Sequence, residues 1–114
     1  MDDCLFCRIA KGALPVELIY DDELVAAFRD INPQAPTHIL IVPKVHIPDV
    51  TGLGAEHGPL LARIMKVATE LAQREGIAET GFRLLANTGP DAGQTVPHLH
   101  FHLLGGRVMG WPPG

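Results

Sequence analysis

The sequence predicts an α+β fold: a mainly antiparallel five-stranded sheet with one long and one short helix. Five short runs of β-branched and apolar residues are set apart by Gly-, Pro- and Asp-bearing breaks. Only one stretch, Pro59 to Glu75, sustains a long helical repeat of apolar positions. The order of these elements suits an α+β architecture.

Cys4 to Lys11 reads as a short helix, with Asp2 and Asp3 at its start and Lys11-Gly12 at its end. Leu14-Pro15 leads into a strand over Val16 to Tyr20. Asp21-Asp22-Glu23 forms a polar turn, and Leu24 to Phe28 returns as a second strand, giving a hairpin. Asn32 to Pro36 is a turn-rich loop. His38 to Val42, closed by Pro43, reads as a central strand. In the long helix, Pro59 fits the first turn, where a missing N–H costs nothing, and Gly76 fits the left-handed stop. Leu60/Leu61, Ile64/Met65, Ala68 and Leu71/Ala72 give it one buried face. Phe82 to Ala86 is a fourth strand, Thr88 to Gln94 a glycine-bearing loop, and His98 to Leu104 a fifth strand ended by Gly105-Gly106. The Trp111-Pro112-Pro113-Gly114 ending suits neither regular helix nor mid-sheet. With no repeats or linkers, the 114 residues fit one domain, 1–114.

Composition narrows the function. A net charge of -4 and the absence of a basic stripe argue against a nucleic-acid partner. The gap between Arg83 and Arg107 spans the histidine cluster, so a phosphate there must be held without a sequence-local Lys or Arg. No apolar run approaches a membrane span, and no signal segment follows the acidic start, which predicts a cytoplasmic protein without a membrane partner.

The run His98-Leu99-His100-Phe101-His102 carries the chemistry. Alternation on a strand puts the three imidazoles on one face, roughly 7 Å apart. Three readings stand: an exposed strand with incidental histidines, a metal site, or covalent catalysis. An imidazole is nucleophilic at neutral pH without deprotonation from a high pKa. The loop before it, Asn87 to Thr95, contains glycines that let backbone N–H groups approach an anion, and Asn87 and Thr95 add neutral donors. Cys4 and Cys7 have CxxC spacing, which alone fits metal, redox chemistry or accident. There is no second CxxC for a zinc ribbon, and no βαβ unit precedes the pair as a thioredoxin-like site requires.

Gly93-Gln94-Thr95-Val96-Pro97-His98-Leu99-His100-Phe101-His102-Leu103-Leu104 resembles the signature of the histidine-triad nucleotide-binding family. Phe28 to His38, Pro43 to Ile47, Gly105-Gly106-Arg107 and the Trp-Pro-Pro-Gly ending are similar to its Hint branch, so the likeness covers about Cys4 to Gly114. It implies a HIT-like fold and a purine nucleoside phosphoramidase acting through a nucleotidyl-histidine. His100 is then the nucleophile, oriented by the backbone carbonyl of His98. His102 and Asn87 hold phosphate oxygens, and Gly93 and Thr95 contact phosphate or leaving group. Asp30 accepts from the ribose hydroxyls, with a turn or cap before Asn32-Pro33 as its other reading. Phe28 and Ile31 flank the base, with Ile9 and Leu40 as further candidates. His38 is implied as a supporting or proton-relay residue; His57 reads as a surface residue.

The resemblance also implies a structural zinc on Cys4, Cys7, His46 and His98, since four protein ligands leave no open position. It implies a homodimer in which the C-terminal segment, through Met109 and Trp111, reaches the partner's site. The related dinucleoside polyphosphate hydrolases share the Gln94-Thr95-Val96 stretch but usually lack this branch's turn and tail. A zinc- or nucleotide-binding module without turnover is the reading from outside enzymology.

Overall fold

A computed structural model describes residues 3–114. A short helix, α1 (Leu5–Ala10), comes first. Its N-cap is Cys4, whose sulfur accepts the Cys7 N–H at 3.4 Å; Asp3 precedes the cap, and Asp2 lies outside the described residues. The sheet comprises β1 (Tyr20–Asp21), β2 (Val25–Arg29), β3 (Thr37–Pro43), β4 (Phe82–Leu85) and β5 (Phe101–Gly105). The strands pair antiparallel throughout, in the order β1-β2-β3-β5-β4. The long helix, α2 (Gly58–Arg74), lies within one residue of its expected bounds. Two 3-10 turns, Val50–Gly52 and Ala55–His57, lead into it, and a third spans Pro90–Ala92.

β2 and β3 are buried along nearly their whole length because each face of the sheet is covered. Val25, Ala27, Ile39 and Ile41 share a core with Ile64 and Leu71 of α2. The alternate residues Ala26, Phe28, Leu40 and Val42 pack with Phe6 and Ile9 of α1. Period-two alternation therefore assigns each residue to one helix or the other. The β1–β2 turn is held by Asp22, whose Oδ1 accepts N–H bonds from Leu24 (2.7 Å) and Val25 (2.8 Å). Burial alone would raise the Asp22 carboxyl. Hydrogen bonds from Tyr20, Leu24, Arg63 and Val25 outweigh it and hold the group well below the usual carboxylate range.

β4 stops one residue early, at Leu85 rather than Ala86, and two other strands fall well short of expectation. The first begins at Tyr20 rather than Val16, because the Val16 N–H turns back onto the Leu14 carbonyl (2.8 Å) around Pro15. The last begins at Phe101 rather than His98. In the β3–β5 register Ile41 faces Phe101, so Leu99 would face Pro43, which has no N–H to give. The ladder stops there. The Leu99 N–H is taken instead by the Ile47 carbonyl at 2.6 Å. His98, Leu99 and His100 thus sit just outside the sheet, free of ladder geometry and open to side-chain bonding.

Candidate functional site

Three histidines of one run occupy three different environments. His98 is fully buried. Its Nε2 donates to the Pro43 carbonyl at 2.8 Å, which leaves Nδ1 as a bare lone pair. That lone pair lies 3.3 Å from the Cys4 Sγ and 3.4 Å from the Cys7 Sγ. The carbonyl of the same residue accepts a hydrogen bond from His100 Nδ1 at 2.7 Å. In the neutral His100 ring the proton is therefore on Nδ1 and the lone pair on Nε2. Phe6 packs against this ring in a T-shaped arrangement, with centroids 5.0 Å apart and planes at 87°.

His102 belongs to a chain of donors. The Gln34 N–H donates to His38 Nδ1 at 3.0 Å, so the His38 proton resides on Nε2. Nε2 lies 2.9 Å from His102 Nδ1 and 3.4 Å from an Asp30 carboxylate oxygen. Donation to His102 Nδ1 places the remaining His102 proton on its Nε2. That Nε2–H is buried and has no hydrogen-bond partner among the described residues. A buried donor left unmade costs about 1–3 kcal/mol, so its position is that of a group awaiting an oxygen. Burial, reinforced by His100 and His38, pushes the His102 ring down to about 4. Burial also lowers His38, against the opposing pull of Asp30. Both rings are thereby kept neutral, which the donor chain requires.

Cys4, Cys7, His46 and His98 bring their ligand atoms within 4.8 Å of one another, with Cys7 Sγ 3.4 Å from His46 Nδ1. In tetrahedral zinc coordination the sulfur–nitrogen edge is about 3.6 Å, from the bond lengths alone. The observed separations of 3.3–3.4 Å match such a polyhedron. The tautomer of His98 offers it the correct nitrogen. The group could therefore bind a metal ion. Asp30, His38 and His102 also cluster within 4.8 Å. Their proton inventory does not suit a metal: His38 Nδ1 is occupied by the Gln34 N–H, and Nε2 carries the proton.

The other expected residues are placed as follows. Asp30 adopts the local turn role, accepting the Asn32 N–H at 2.8 Å, while its second oxygen faces His38. Phe28 is buried against Phe6, and Ile9 and Leu40 are buried with it. Ile31 beside Asp30 is wholly exposed. Asn87 is half-buried just beyond β4, and Gly93 takes a left-handed φ of 84°. Thr95 is exposed, in a hollow of about 380 Å³ that it shares with Cys4, His46 and Val96. Trp111 is exposed, one residue beyond Gly110, whose carbonyl accepts from Arg83 at 2.9 Å. His57 Nδ1 accepts the Gly54 N–H ahead of α2. The backbone bonds from Gln34 and to Pro43 had no sequence signal, since main-chain partners leave no residue-type signature.

These features define a class. The chain matches the HIT domain over residues 11–109. It is 50% identical to the protein of Escherichia coli K12 named purine nucleoside phosphoramidase, over 96% of this chain and 92% of that one. It is also 50% identical to a maize protein named 14 kDa zinc-binding protein, over 96% of this chain and 87% of that one. A crystal structure of a HIT family hydrolase from Legionella pneumophila superposes with a TM-score of 0.96 at 51% identity, covering 98% of this chain and all of that one. The chain belongs to the HIT family, and its fold is that of the HIT hydrolases. Among the described residues no helix is long and apolar enough to cross a membrane.

Proposed function

We propose that the protein hydrolyses the P–N bond of purine nucleoside 5′-monophosphoramidates through a nucleotidyl-His100 intermediate. The observation that carries this reading is the pairing of a directed Nε2 lone pair on His100 with the unpartnered Nε2–H of His102 beside it, ring centroids 5.0 Å apart. The first is a nucleophile and the second a donor for a phosphoryl oxygen. The kinship with the E. coli protein named purine nucleoside phosphoramidase supports the substrate class.

In the first step the His100 Nε2 lone pair forms a bond to phosphorus while the P–N bond breaks. The leaving nitrogen takes that electron pair and a proton from solvent, and departs as amine. In the second step water attacks phosphorus and gives up a proton to solvent, the Nε2–P bond breaks, and the nucleoside monophosphate leaves with the ring restored. His102 Nε2–H, Asn87 and the Gly93 backbone hold the phosphoryl oxygens, with the Thr95 hydroxyl near phosphate or leaving group. Asp30, through lone pairs not used by Asn32, accepts from the ribose, and Ile31 covers the base above Phe28. On this reading His100→Ala abolishes turnover of an adenosine phosphoramidate while nucleoside monophosphate still binds by calorimetry. Full activity in that variant refutes it.

The same reading assigns a structural zinc to Cys4, Cys7, His46 and His98. When bound, it would tie the start of α1 to the chain before the last strand, and no reaction step passes through it. Cysteines kept as thiolate ligands rather than as a disulfide suit a reducing, cytoplasmic setting. A homodimer, with Trp111 approaching the partner's site, is supported by the outer edge of β4, where Phe82 is exposed. Sedimentation equilibrium tests the assembly.

A further inference from the structure

The side chain of Gln94 is not accounted for by the chemistry above, yet all three of its polar hydrogens and acceptors in use go to backbone. Its Oε1 accepts the Gly89 N–H at 2.9 Å. Its Nε2 donates to the Pro48 carbonyl at 2.8 Å and to the Val96 carbonyl at 3.1 Å. Its own N–H donates to the Gly89 carbonyl at 3.1 Å, so Gly89 is gripped on both sides by one residue. Gly89 and Gly93 have φ of 82° and 84°, values that suit glycine, so the loop has a fixed and unusual path to hold.

The three anchor points belong to three parts of the site. Gly89 heads the loop between Asn87 and Gly93. The Val96 carbonyl also accepts the His98 N–H at 2.9 Å, and His98 aims the nucleophile. Pro48 follows Ile47, whose carbonyl holds the Leu99 N–H. A carboxamide of this length is the group that offers one acceptor and two donors to those points at once. A carboxylate would face two carbonyl oxygens with no proton to give.

We propose that Gln94 is a positioning residue for the hydrolase reaction, locking the glycine loop that carries Asn87 and Gly93 in register with the backbone that aims His100. The inference rests on the proposed phosphoramidase reading. Displacing a phosphate-holding loop by a fraction of an ångström misaligns attack while leaving the nucleoside contacts in place. The effect therefore falls on kcat rather than on binding.

The test compares wild type, Gln94→Met and Gln94→Glu with an adenosine phosphoramidate as substrate and adenosine, which makes only the nucleoside contacts, as the binding probe. Near neutral pH both variants lose about 10- to 100-fold in kcat, while affinity for adenosine stays within about threefold. Amide hydrogen exchange at Gly89, measured without substrate, speeds up in both. As pH falls, Gln94→Glu recovers activity relative to wild type, because its protonated carboxyl regains one donor, and Gln94→Met does not. Unchanged kcat, parallel loss of kcat and affinity, identical pH profiles of the two variants, or failure of both to fold each overturns the assignment. If wild type itself does not turn over the phosphoramidate, the functional reading fails, and the exchange at Gly89 still decides whether the clamp exists.

Discussion

Acidification is the perturbation that most directly tests the neutral donor chain. His102 is held near 4, against about 6.5 for a free imidazole. Its folded value lies below its unfolded one, so between those values the unfolded chain binds more protons and stability rises with pH. The contribution is complete above pH 6.5 and is lost as pH falls toward 4. The gap corresponds to about 3 kcal/mol in full, of which about 2 kcal/mol is gone by pH 5. For a domain of ordinary stability that is a large share. Urea denaturation of wild type and His102→Gln at a series of pH values between 7.5 and 5 isolates the effect. His38, also lowered by burial, titrates in both proteins. The difference in unfolding free energy between the two proteins should shrink by about 2 kcal/mol over that range. Parallel curves would refute the claim that this ring is buried in its neutral form.

Two further outcomes follow from the geometry. Metal analysis of the purified protein should find about one zinc per chain, set by the single tetrahedral donor set. Chelation should lower the melting temperature, and Cys7→Ala should abolish both the metal content and the chelator effect; an identical melt with and without chelator contradicts it. At Gly105, a Cβ would lie 2.5 Å from Ile77 Cδ1 and 3.0 Å from its Cβ. Gly105→Ala should therefore cost about 1–3 kcal/mol in chemical denaturation, and adding Ile77→Ala should recover part of the loss; additivity of the two changes would show that the clash is not the cause.

What the sequence revealed depended on whether the signal was local. The long helix is legible to within a residue because seventeen positions repeat one pattern and Pro59 and Gly76 mark its ends. The central strand is equally clear, since every residue from Thr37 to Pro43 is buried. The first and last strands are shorter than their alternation implies, for a physical reason: apolar alternation marks which side chains face inward, but not whether a neighbouring backbone is there to pair. At Val16 and at His98 it is not. The family motif pointed to the histidines, whereas their tautomers depend on carbonyls and amides remote in sequence, such as Pro43 with His98. The convergence of residues 4, 7, 46 and 98 likewise follows only when α1 docks on the sheet.

The bond from His100 Nδ1 to the His98 carbonyl has a consequence for genetics. The atom that orients the proposed nucleophile belongs to the main chain, and every amino acid supplies one. No point substitution can delete it. A replacement at position 98 strips an imidazole from the cysteine cluster yet leaves the aiming oxygen in the polymer, so an inactive variant there reports a shifted chain path rather than a missing catalyst.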